Sequence, residues 1–244
     1  MISAASPSDP APLDEDSAAH RRSFFGRRKG HKLRIHQADL IAHLLPRLAL
    51  DIATQLPPSQ LTALFDPPVE NVRLEIGFGG GEHLVAEAQA FPQTGFIGCE
   101  PYLNGMAKIL AQIEAHELHN IRLFAGDAAE LLAWAPPHSL TRIDLIHPDP
   151  WPKRRHWKRR FVQDATVGAM ARALQPHGEF RFVCDIDDYV AWTLHHLARS
   201  PDFVWTAERA DDWRLPWHGY TMTRYGRKAT LEGRRVVYLR FARK

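Results

Sequence analysis

The residues best suited to chemistry begin with glycines that follow a short apolar segment. Gly77, Gly79 and Gly81 form a G-x-G-x-G pattern directly after the apolar run that ends at Ile76. Glycine lets the backbone turn tightly and approach a ligand without a clash from a Cβ atom. Glu82 stands where the G-x-G-x-x-G pattern needs its last glycine, so the dinucleotide-binding fingerprint is not met. The spacing instead predicts a nucleoside-like ligand at the end of a strand.

Acidic residues stand at or near the ends of three successive predicted strands. Glu75 lies in the first strand, Glu100 follows the second, and Asp127 follows the third. Ligands of doubly wound sheets bind at the carboxyl ends of the strands, where Glu100 would accept ribose hydroxyls and Asp127 an adenine amino group. A pyrophosphate prefers bare amides at a helix N-terminus, whereas carboxylates favour the sulfonium and ammonium groups of S-adenosylmethionine. The sequence therefore predicts an S-adenosylmethionine site formed by Glu75, Gly77, Gly79, Glu100, Asp127 and Ala128.

A second candidate site is the proline-rich loop Pro148–Pro152 and the basic run behind it. The prolines on either side of Asp149 hold it in an extended backbone, which suits a catalytic loop at the carboxyl edge of the sheet. Six of the ten residues from Trp151 to Arg160 are Lys or Arg, and none is acidic. Trp151 and Trp157 offer faces on which a splayed RNA base could stack. The pattern predicts an RNA-binding surface, and the alternative is an ordinary solvated charge run.

Short apolar runs that alternate with amphipathic helices must position these residues, a pattern typical of a parallel sheet covered on both faces. The predicted strands are Val72–Ile76, Gly95–Cys99, Asn120–Phe124, Arg142–Ile146, Glu179–Val183 and Val236–Phe241. The predicted helices are Ala38–Leu56, Glu82–Ala90, Asn104–His116, Ala129–Trp134, Lys158–Leu174 and Asp188–Arg199. In this assignment Lys158, Arg159 and Arg160 open a helix, where the dipole opposes cations and a bound phosphate would reverse that effect.

Composition places these elements in one domain with an N-terminal extension. The chain has 244 residues, 45% of them apolar, with a formal net charge of +3, which allows a sizeable core within the size of a single domain. Residues 1–19 contain no aromatic residue, and we expect them to form a disordered leader. Residues 20–34 carry seven Lys or Arg and no acid, which predicts an anion-seeking arm, with a solvated basic tail as the alternative.

Other classes of protein are excluded on the same grounds. No apolar stretch reaches the roughly 18 residues that a membrane span needs. Met1–Asp16 lacks the basic and apolar regions of a secretory signal, so we expect a cytoplasmic location. Cys99 and Cys184 lie far apart in the sequence, which argues against a disulfide framework or a cysteine-based zinc site. His116 and His119 lack the spacing of an H-E-x-x-H site, and no metal is expected.

Together these motifs resemble the bacterial tRNA (guanine-N7)-methyltransferase family from about Phe24 to the C-terminus. The motifs are Leu74–Gly81, Gly98–Glu100, Pro148–Lys153, Lys158–Arg160, Asp185–Tyr189 and Thr223–Tyr225. The glycine loop alone indicates only a methyltransferase, whereas the P-D-P-W-P-K run followed by K-R-R is specific to that family. The resemblance implies the fold of class I S-adenosylmethionine-dependent methyltransferases, which is Rossmann-like and doubly wound. It also implies an activity, the methylation of N7 of guanosine 46 in the tRNA variable loop.

The same resemblance implies a role for individual residues. Asp149 matches the proposed catalytic residue and, with Glu75, Glu100 and Asp127, a cofactor contact. The implied substrate contacts are Lys153, Asp185, Thr223, Arg224 and Tyr225. The implied RNA contacts are Arg155, His156, Trp157, Lys158, Arg159 and Arg160. Gly226 stands where the family has Glu, so the hydrogen-bond acceptor of that side chain is missing.

Composition and patterning predict a division of the chain into the leader (1–19), the basic arm with a helical segment (20–70) and, with the resemblance, a methyltransferase domain (71–244). Three interpretations stay open. The chain methylates guanine N7 of tRNA, or it methylates another RNA base in the same pocket, or it is a catalytically weak tRNA-binding chaperone, which the departure at Gly226 leaves possible. The sequence does not fix the oligomeric state.

Overall fold

A computed structural model, which describes residue 28 and residues 30–244, contains a seven-stranded sheet. The strands are β1 (Asn71–Ile76), β2 (Thr94–Cys99), β3 (Ile121–Phe124), β4 (Leu140–Ile146), β5 (Leu174–Cys184), β6 (Phe203–Trp205) and β7 (Val237–Arg243). Their order is β3-β2-β1-β4-β5-β7-β6. Strands β1 to β5 pair in parallel, and β7 pairs antiparallel with both β5 and β6. The predicted disordered leader, residues 1–19, lies outside the described residues, as do most residues of the predicted basic arm.

Helices follow the strands in the alternation that the sequence predicts. They are α1 (Ile35–His43), α2 (Leu45–Leu48), α3 (Glu82–Ala90), α4 (Leu103–Ala115), α5 (Ala128–Trp134), α6 (Asp164–Ala173), α7 (Asp187–Arg199), α8 (Asp211–Arg214) and α9 (Arg224–Leu231). One apolar cluster joins Leu74 and Ile97 of the sheet to side chains of α5, α6 and α7. A second cluster joins Phe96, the neighbour of Ile97, to side chains of α1, α3 and α4. Because adjacent residues of a strand point to opposite faces, helices cover both faces, which confirms the predicted doubly wound fold.

The predicted helix over Lys158–Leu174 is wrong at its start. Arg154–Arg159 forms a 3-10 helix, and α6 begins only at Asp164. A hydrogen bond from the Gln163 amide to the Thr166 hydroxyl, 3.0 Å long, fixes the start of α6, as in a capping box. The three cations therefore lie before the α-helix, and the predicted opposition between their charges and its dipole does not arise.

Two further differences concern the ends of the chain. The predicted helix over Ala38–Leu56 is shorter, because α2 ends at Leu48 and Ala49 forms a bridge with Leu123 of β3. Strand β6 and helices α8 and α9 are absent from the sequence prediction. They are short or strongly polar, so apolar periodicity gives little signal for them.

Candidate active site

A cavity of about 930 Å³ opens at the carboxyl ends of the parallel strands. Residues of the predicted cofactor, catalytic, substrate and RNA groups meet in its wall, namely Gly77, Gly79, Glu100, Asp127, Ala128, Asp149, Arg159, Asp185, Arg224 and Tyr225. Other predicted residues do not line it, namely Glu75, Lys153, Arg155, His156, Trp157, Lys158, Arg160 and Thr223. The volume is in the range of small-molecule sites, which occur at this edge in doubly wound folds.

The glycine loop after β1 is tied to the carboxylate of Glu100. Gly77 and Gly79 have φ angles of 71° and 58°, in the left-handed region that favours glycine. The Gly79 amide donates to one Glu100 oxygen at 2.8 Å, and the Tyr102 amide donates to the other at 3.0 Å. Burial raises the pKa of Glu100, and the two backbone N–H groups partly oppose this. Each carboxylate oxygen keeps a second acceptor position, so Glu100 can still bind ligand hydroxyls.

Helix α4 approaches the glycine loop so closely that it needs a glycine of its own. A Cβ atom added to Gly105 would lie 2.5 Å from the Gly79 carbonyl oxygen and 3.1 Å from Cγ of Glu100. Backbone atoms cannot move away as a flexible side chain would. The sequence analysis did not single out Gly105, because its role depends on a contact between distant segments.

Asp127 forms the N-cap of α5, which places it at the tip of β3. One of its carboxylate oxygens accepts from the Ala129 amide at 2.9 Å. Among the described residues, no side chain or amide engages the second oxygen, which can accept from a ligand amino group. Ala128 follows as the first residue of the helix and also lines the cavity.

Glu75 does not reach the cavity, so its predicted direct contact with a cofactor is not supported by the geometry. Its carboxylate is 4% exposed and lies 2.7 Å from Nδ1 of His83 on α3. Burial raises the pKa of Glu75, and the neighbouring imidazole opposes that shift. The residue therefore joins β1 to α3 beneath the glycine loop. Alternation explains this position, because Leu74 and Glu75 must face opposite sides of the sheet.

Asp149 projects from a loop in which the backbone is strained on both sides. His147 and Trp151 have φ angles of 48° and 44°, which non-glycine residues rarely adopt. Within the described part of the chain, no hydrogen bond or ion pair holds the Asp149 carboxylate. Desolvation by the surrounding protein raises the pKa of Asp149 above its ordinary value. The carboxylate is thus free to orient a ligand and stabilise positive charge.

Asp185 follows β5 and lies in a polar cluster that the sequence analysis found only in part. Its two oxygens meet Nδ1 of His147 at 3.0 Å and Nε of Arg234 at 2.7 Å. Burial alone would raise the pKa of Asp185, but these two hydrogen bonds lower it. Burial also lowers the pKa of His147. Both His147 and Arg234 line the cavity, although no sequence motif pointed to either of them.

In the C-terminal motif, one residue caps a helix and the next two line the cavity. Thr223 is buried and caps α9, where its hydroxyl accepts from the Gly226 amide at 3.2 Å. This assigns Thr223 to holding the helix in place rather than to direct contact with a ligand. Arg224 stacks on Tyr225 at 4.7 Å, and both line the cavity. At Gly226 an added Cβ atom would lie 3.2 Å from Nε2 of His147, so the histidine ring occupies the space beside this departure from the family pattern.

The predicted RNA-contacting residues fall into an exposed group and a buried one. Arg155 and Lys158 are exposed on the 3-10 helix, and Arg159 lies over Trp151 at 4.9 Å. The guanidinium of Arg160 is fully buried, with a ring distance of 5.0 Å to Trp157. The geometry therefore does not support the predicted RNA contact of Arg160, because a phosphate cannot reach a buried guanidinium.

The end of the predicted basic arm contacts the same cavity. The Arg28 carbonyl accepts from the Leu103 amide at 3.0 Å, at the start of α4. The Asn104 side chain accepts from the Gly30 amide and donates to the His31 carbonyl, both at 2.8 Å. His31, Lys32 and Arg34 consequently line the mouth of the cavity. The sequence analysis predicted the charge of the arm but not this location.

The described part of the chain has neither a metal-binding cluster nor a helix that could span a membrane. Over residue 28 and residues 30–244, no group of three or more His, Cys, Asp or Glu side chains is arranged to hold a metal ion. In the same residues, no helix combines the length and the apolar character needed to cross a membrane.

Comparisons with known proteins agree with these features. Residues 69–239 match a family model described as a putative methyltransferase. The tRNA (guanine-N(7)-)-methyltransferase of Rhodopseudomonas palustris (strain BisA53) is 76% identical over 233 residues, which cover 96% of this chain and 92% of that protein. That of Nitrobacter winogradskyi is 73% identical, with coverage of 96% and 92%.

A solved structure supports the fold independently. The crystal structure of the 16S rRNA methyltransferase KamB matches with a TM-score of 0.51 at 16% identity, covering 72% of this chain and 89% of that one. This likeness concerns the fold alone, whereas the identity to the curated relatives extends over nearly the whole chain. The chain belongs to the tRNA (guanine-N7)-methyltransferase family.

Proposed function

We propose that the protein transfers a methyl group from S-adenosylmethionine to N7 of guanosine 46 in the variable loop of tRNA. One observation carries the proposal: a group of carboxylates at the strand tips lies in a cavity that adjoins a basic, exposed 3-10 helix. Glu100, Asp127 and Asp149 line the cavity, and Arg155 and Lys158 lie on the helix. The grouped carboxylates suit a cationic donor, and the basic helix suits a polyanion.

The residues of the cavity fit the proposed donor. Gly77 and Gly79 leave the backbone open to close approach, and the remaining acceptor positions of Glu100 suit the two ribose hydroxyls. The second oxygen of Asp127 suits the adenine amino group. When bound, S-adenosylmethionine supplies an electrophilic methyl group on a sulfonium. Three carboxylates at the strand tips favour that positive charge over a pyrophosphate.

Asp149 needs no proton transfer to support this reaction. N7 of guanine already presents a lone pair, so no general base is required. Positive charge moves onto the imidazole ring of the base as the methyl group is transferred, and the Asp149 carboxylate can stabilise it. Holding the base and donor in line contributes further, up to about 7 to 11 kcal/mol in the most favourable cases.

The basic 3-10 helix beside the cavity would hold the RNA while the base enters the cavity. Arg155, Lys158 and Arg159 can pair with phosphates, and Asp185 can accept from the donors on the Watson–Crick edge of guanine. The base must leave its stack to reach Asp149, which costs less for a loop nucleotide than for a paired one. We infer that this favours the variable loop as the substrate.

The proposal is tested by incubating unmodified tRNA transcripts with methyl-labelled S-adenosylmethionine and mapping the product. We expect N7-methylguanosine at position 46, and no incorporation into a matched transcript that carries adenosine there. Methylation of another base would contradict the proposed position. Binding of tRNA without any transfer would favour the chaperone interpretation instead.

A further inference from the structure

We propose that Arg160 is a positioning residue that fixes the backbone of the Asp149 loop for methyl transfer. The inference rests on the proposed function, because it concerns the carboxylate that the reaction uses. It assigns to Arg160 a role different from the RNA contact that the sequence predicts.

The Asp149 loop requires such a support. Among the described residues, no side-chain partner holds the Asp149 carboxylate, so its location depends on its backbone. That backbone lies between His147 and Trp151, whose φ angles of 48° and 44° are unfavourable for residues with a Cβ atom. Strained conformations of this kind persist only where surrounding contacts over-determine them. The amide of His147 donates to the Val183 carbonyl at 2.8 Å, which fixes one end of the loop.

Arg160 fixes the other end. Its Nε donates to the carbonyl of Pro150, the residue directly after Asp149, at 3.0 Å. A terminal nitrogen of the same guanidinium forms an ion pair with the Asp188 carboxylate, and the other lies 3.4 Å from the Asp188 carbonyl. The planar fork thus joins the catalytic loop to the first turn of α7. Lysine cannot reproduce this, because it carries one nitrogen rather than a fixed fork.

Aromatic rings hold the guanidinium in this position. It lies 5.0 Å from the ring of Trp157, 4.9 Å from that of Tyr189 and 5.3 Å from that of Trp192. The hydroxyl of Tyr189 also accepts from the Phe161 amide at 3.0 Å. These cation–π contacts favour arginine and shield its charge from water. A residue with no exposed surface acts on the reaction through the loop and not through RNA.

The test compares Arg160→Gln and Arg160→Lys with a matched variant, Arg122→Gln. Arg122 also donates to a backbone carbonyl, that of Leu64 at 2.8 Å, and lies 4.8 Å from the ring of Phe65. It does not line the cavity. We expect Arg160→Gln to lower kcat by about tenfold to 100-fold, the range for a displaced catalytic group. Arg160→Lys should fall between this variant and the wild type, whereas Arg122→Gln should keep its kcat.

Affinity and hydrogen exchange separate positioning from other roles. We expect the Kd of tRNA and of S-adenosylmethionine to stay within about twofold in Arg160→Lys, and amides of residues 147–153 to exchange faster than in Arg122→Gln. A weaker tRNA affinity with unchanged kcat would overturn the proposal in favour of an RNA contact. It would also be overturned if kcat fell equally in both glutamine variants at equal loss of thermal stability.

A third variant guards against misfolding of the Arg160 variants. Asp188→Asn leaves the arginine in place and removes its charged partner, whose side chain is 53% exposed. We expect kcat to fall less in Asp188→Asn than in Arg160→Gln, with the same rise in the hydrogen-exchange rate of amides in residues 147–153. An unchanged exchange rate in this loop would contradict the proposal. If the wild type did not methylate tRNA at all, the proposed function would fail, and the exchange measurements would still decide whether Arg160 supports the loop.

Discussion

Two neighbouring regions at the carboxyl edge of the sheet are built by different means. The cofactor wall, defined by Gly77, Gly79, Glu100 and Asp127, is tied together by hydrogen bonds between carboxylates and backbone amides. The RNA wall, defined by residues 149–160 and named for the RNA contact that we propose, borders the cavity and relies on side chains. Arg159 stacks on Trp151, and Arg160 lies among aromatic rings.

This difference separates fixed geometry from adaptable contact. Backbone amides of the cofactor wall cannot turn away, so its acceptors are oriented before a ligand arrives, as electrostatic stabilisation requires. Exposed cations such as Lys158 keep their rotamer freedom, which suits contacts to phosphates that vary in position. Asp149 lies where the walls meet, and it combines a side chain that no other described residue holds with a backbone that is held firmly.

The largest effect is expected from Asp149→Asn, which removes the charge from the meeting point of the two walls. We expect kcat to fall by about 100-fold, comparable to the loss of one transition-state contact in other enzymes. The Kd of tRNA should change by less than about threefold, since the RNA wall keeps its cations. Steady-state kinetics and filter binding measure the two quantities. Asp187→Asn is the control, because that side chain is 81% exposed on α7; an unchanged kcat in Asp149→Asn would remove this residue from the mechanism.

The next largest effect tests the rigidity of the cofactor wall. In Gly105→Ala the new methyl group would meet the Gly79 carbonyl at 2.5 Å, and overpacking of this kind costs about 1 to 3 kcal/mol of unfolding free energy. We expect the affinity for S-adenosylmethionine, measured by calorimetry, to weaken about tenfold. A tenfold change in Kd corresponds to about 1.4 kcal/mol of binding free energy.

A matched glycine variant makes that result specific. An added Cβ atom at Gly168 on α6 meets no atom within 4 Å. Gly168→Ala should therefore raise the unfolding free energy by about 0.5 to 1 kcal/mol through helix propensity, with donor affinity unchanged. Equal donor affinities in the two variants would show that the close approach of α4 does not shape the glycine loop.

The sequence predicted which strand ends form the cofactor wall, whereas for the RNA wall it predicted the charge but not which side chains are buried. The strand ends predict the positions of Gly77, Gly79, Glu100 and Asp127, because a parallel sheet brings those ends to one edge. Glu75 was misplaced, since it lies one residue before the end of β1 and its side chain points to the face covered by α3. A local pattern therefore finds the edge of the sheet, but alternation decides which acids reach the cavity.

The basic run shows the limit of such patterns more clearly. K-R-R gives the same charge at three positions, yet only Arg160 is enclosed by Tyr189 and Trp192, which come from a helix more than 25 residues later in the chain. His147 was missed for a related reason, because its partner Asp185 lies on another strand tip. Contacts between distant segments determine these roles, and spacing along the chain does not encode them.

Lowering the pH should change kcat through the RNA wall and the Kd of S-adenosylmethionine through the cofactor wall. Desolvation raises the pKa of both Asp149 and Glu100, so each loses its charge at a higher pH than an exposed carboxylate as the pH falls. Protonation of Asp149 should lower kcat, by about tenfold per pH unit well below its pKa, and protonation of Glu100 should raise the Kd of S-adenosylmethionine. In Asp149→Asn the acidic limb of kcat should disappear while that of Kd remains. If both limbs disappeared together, the two walls would share one titrating group.

The smallest effect concerns a single exposed cation of the RNA wall. Lys158→Gln should flatten the dependence of log K for tRNA on log salt by about 0.7 to 0.9, the contribution of one phosphate contact. Arg160→Lys should leave this slope unchanged, because position 160 is buried and the substitution keeps its charge. Lys244→Gln is a matched control, since β7 runs antiparallel to β5 and ends at the opposite edge of the sheet. Binding isotherms at several salt concentrations measure the slopes. Equal slopes for Lys158→Gln and Lys244→Gln would mean that the phosphates follow another path, because an exposed lysine in the RNA wall must release counterions when it pairs with RNA.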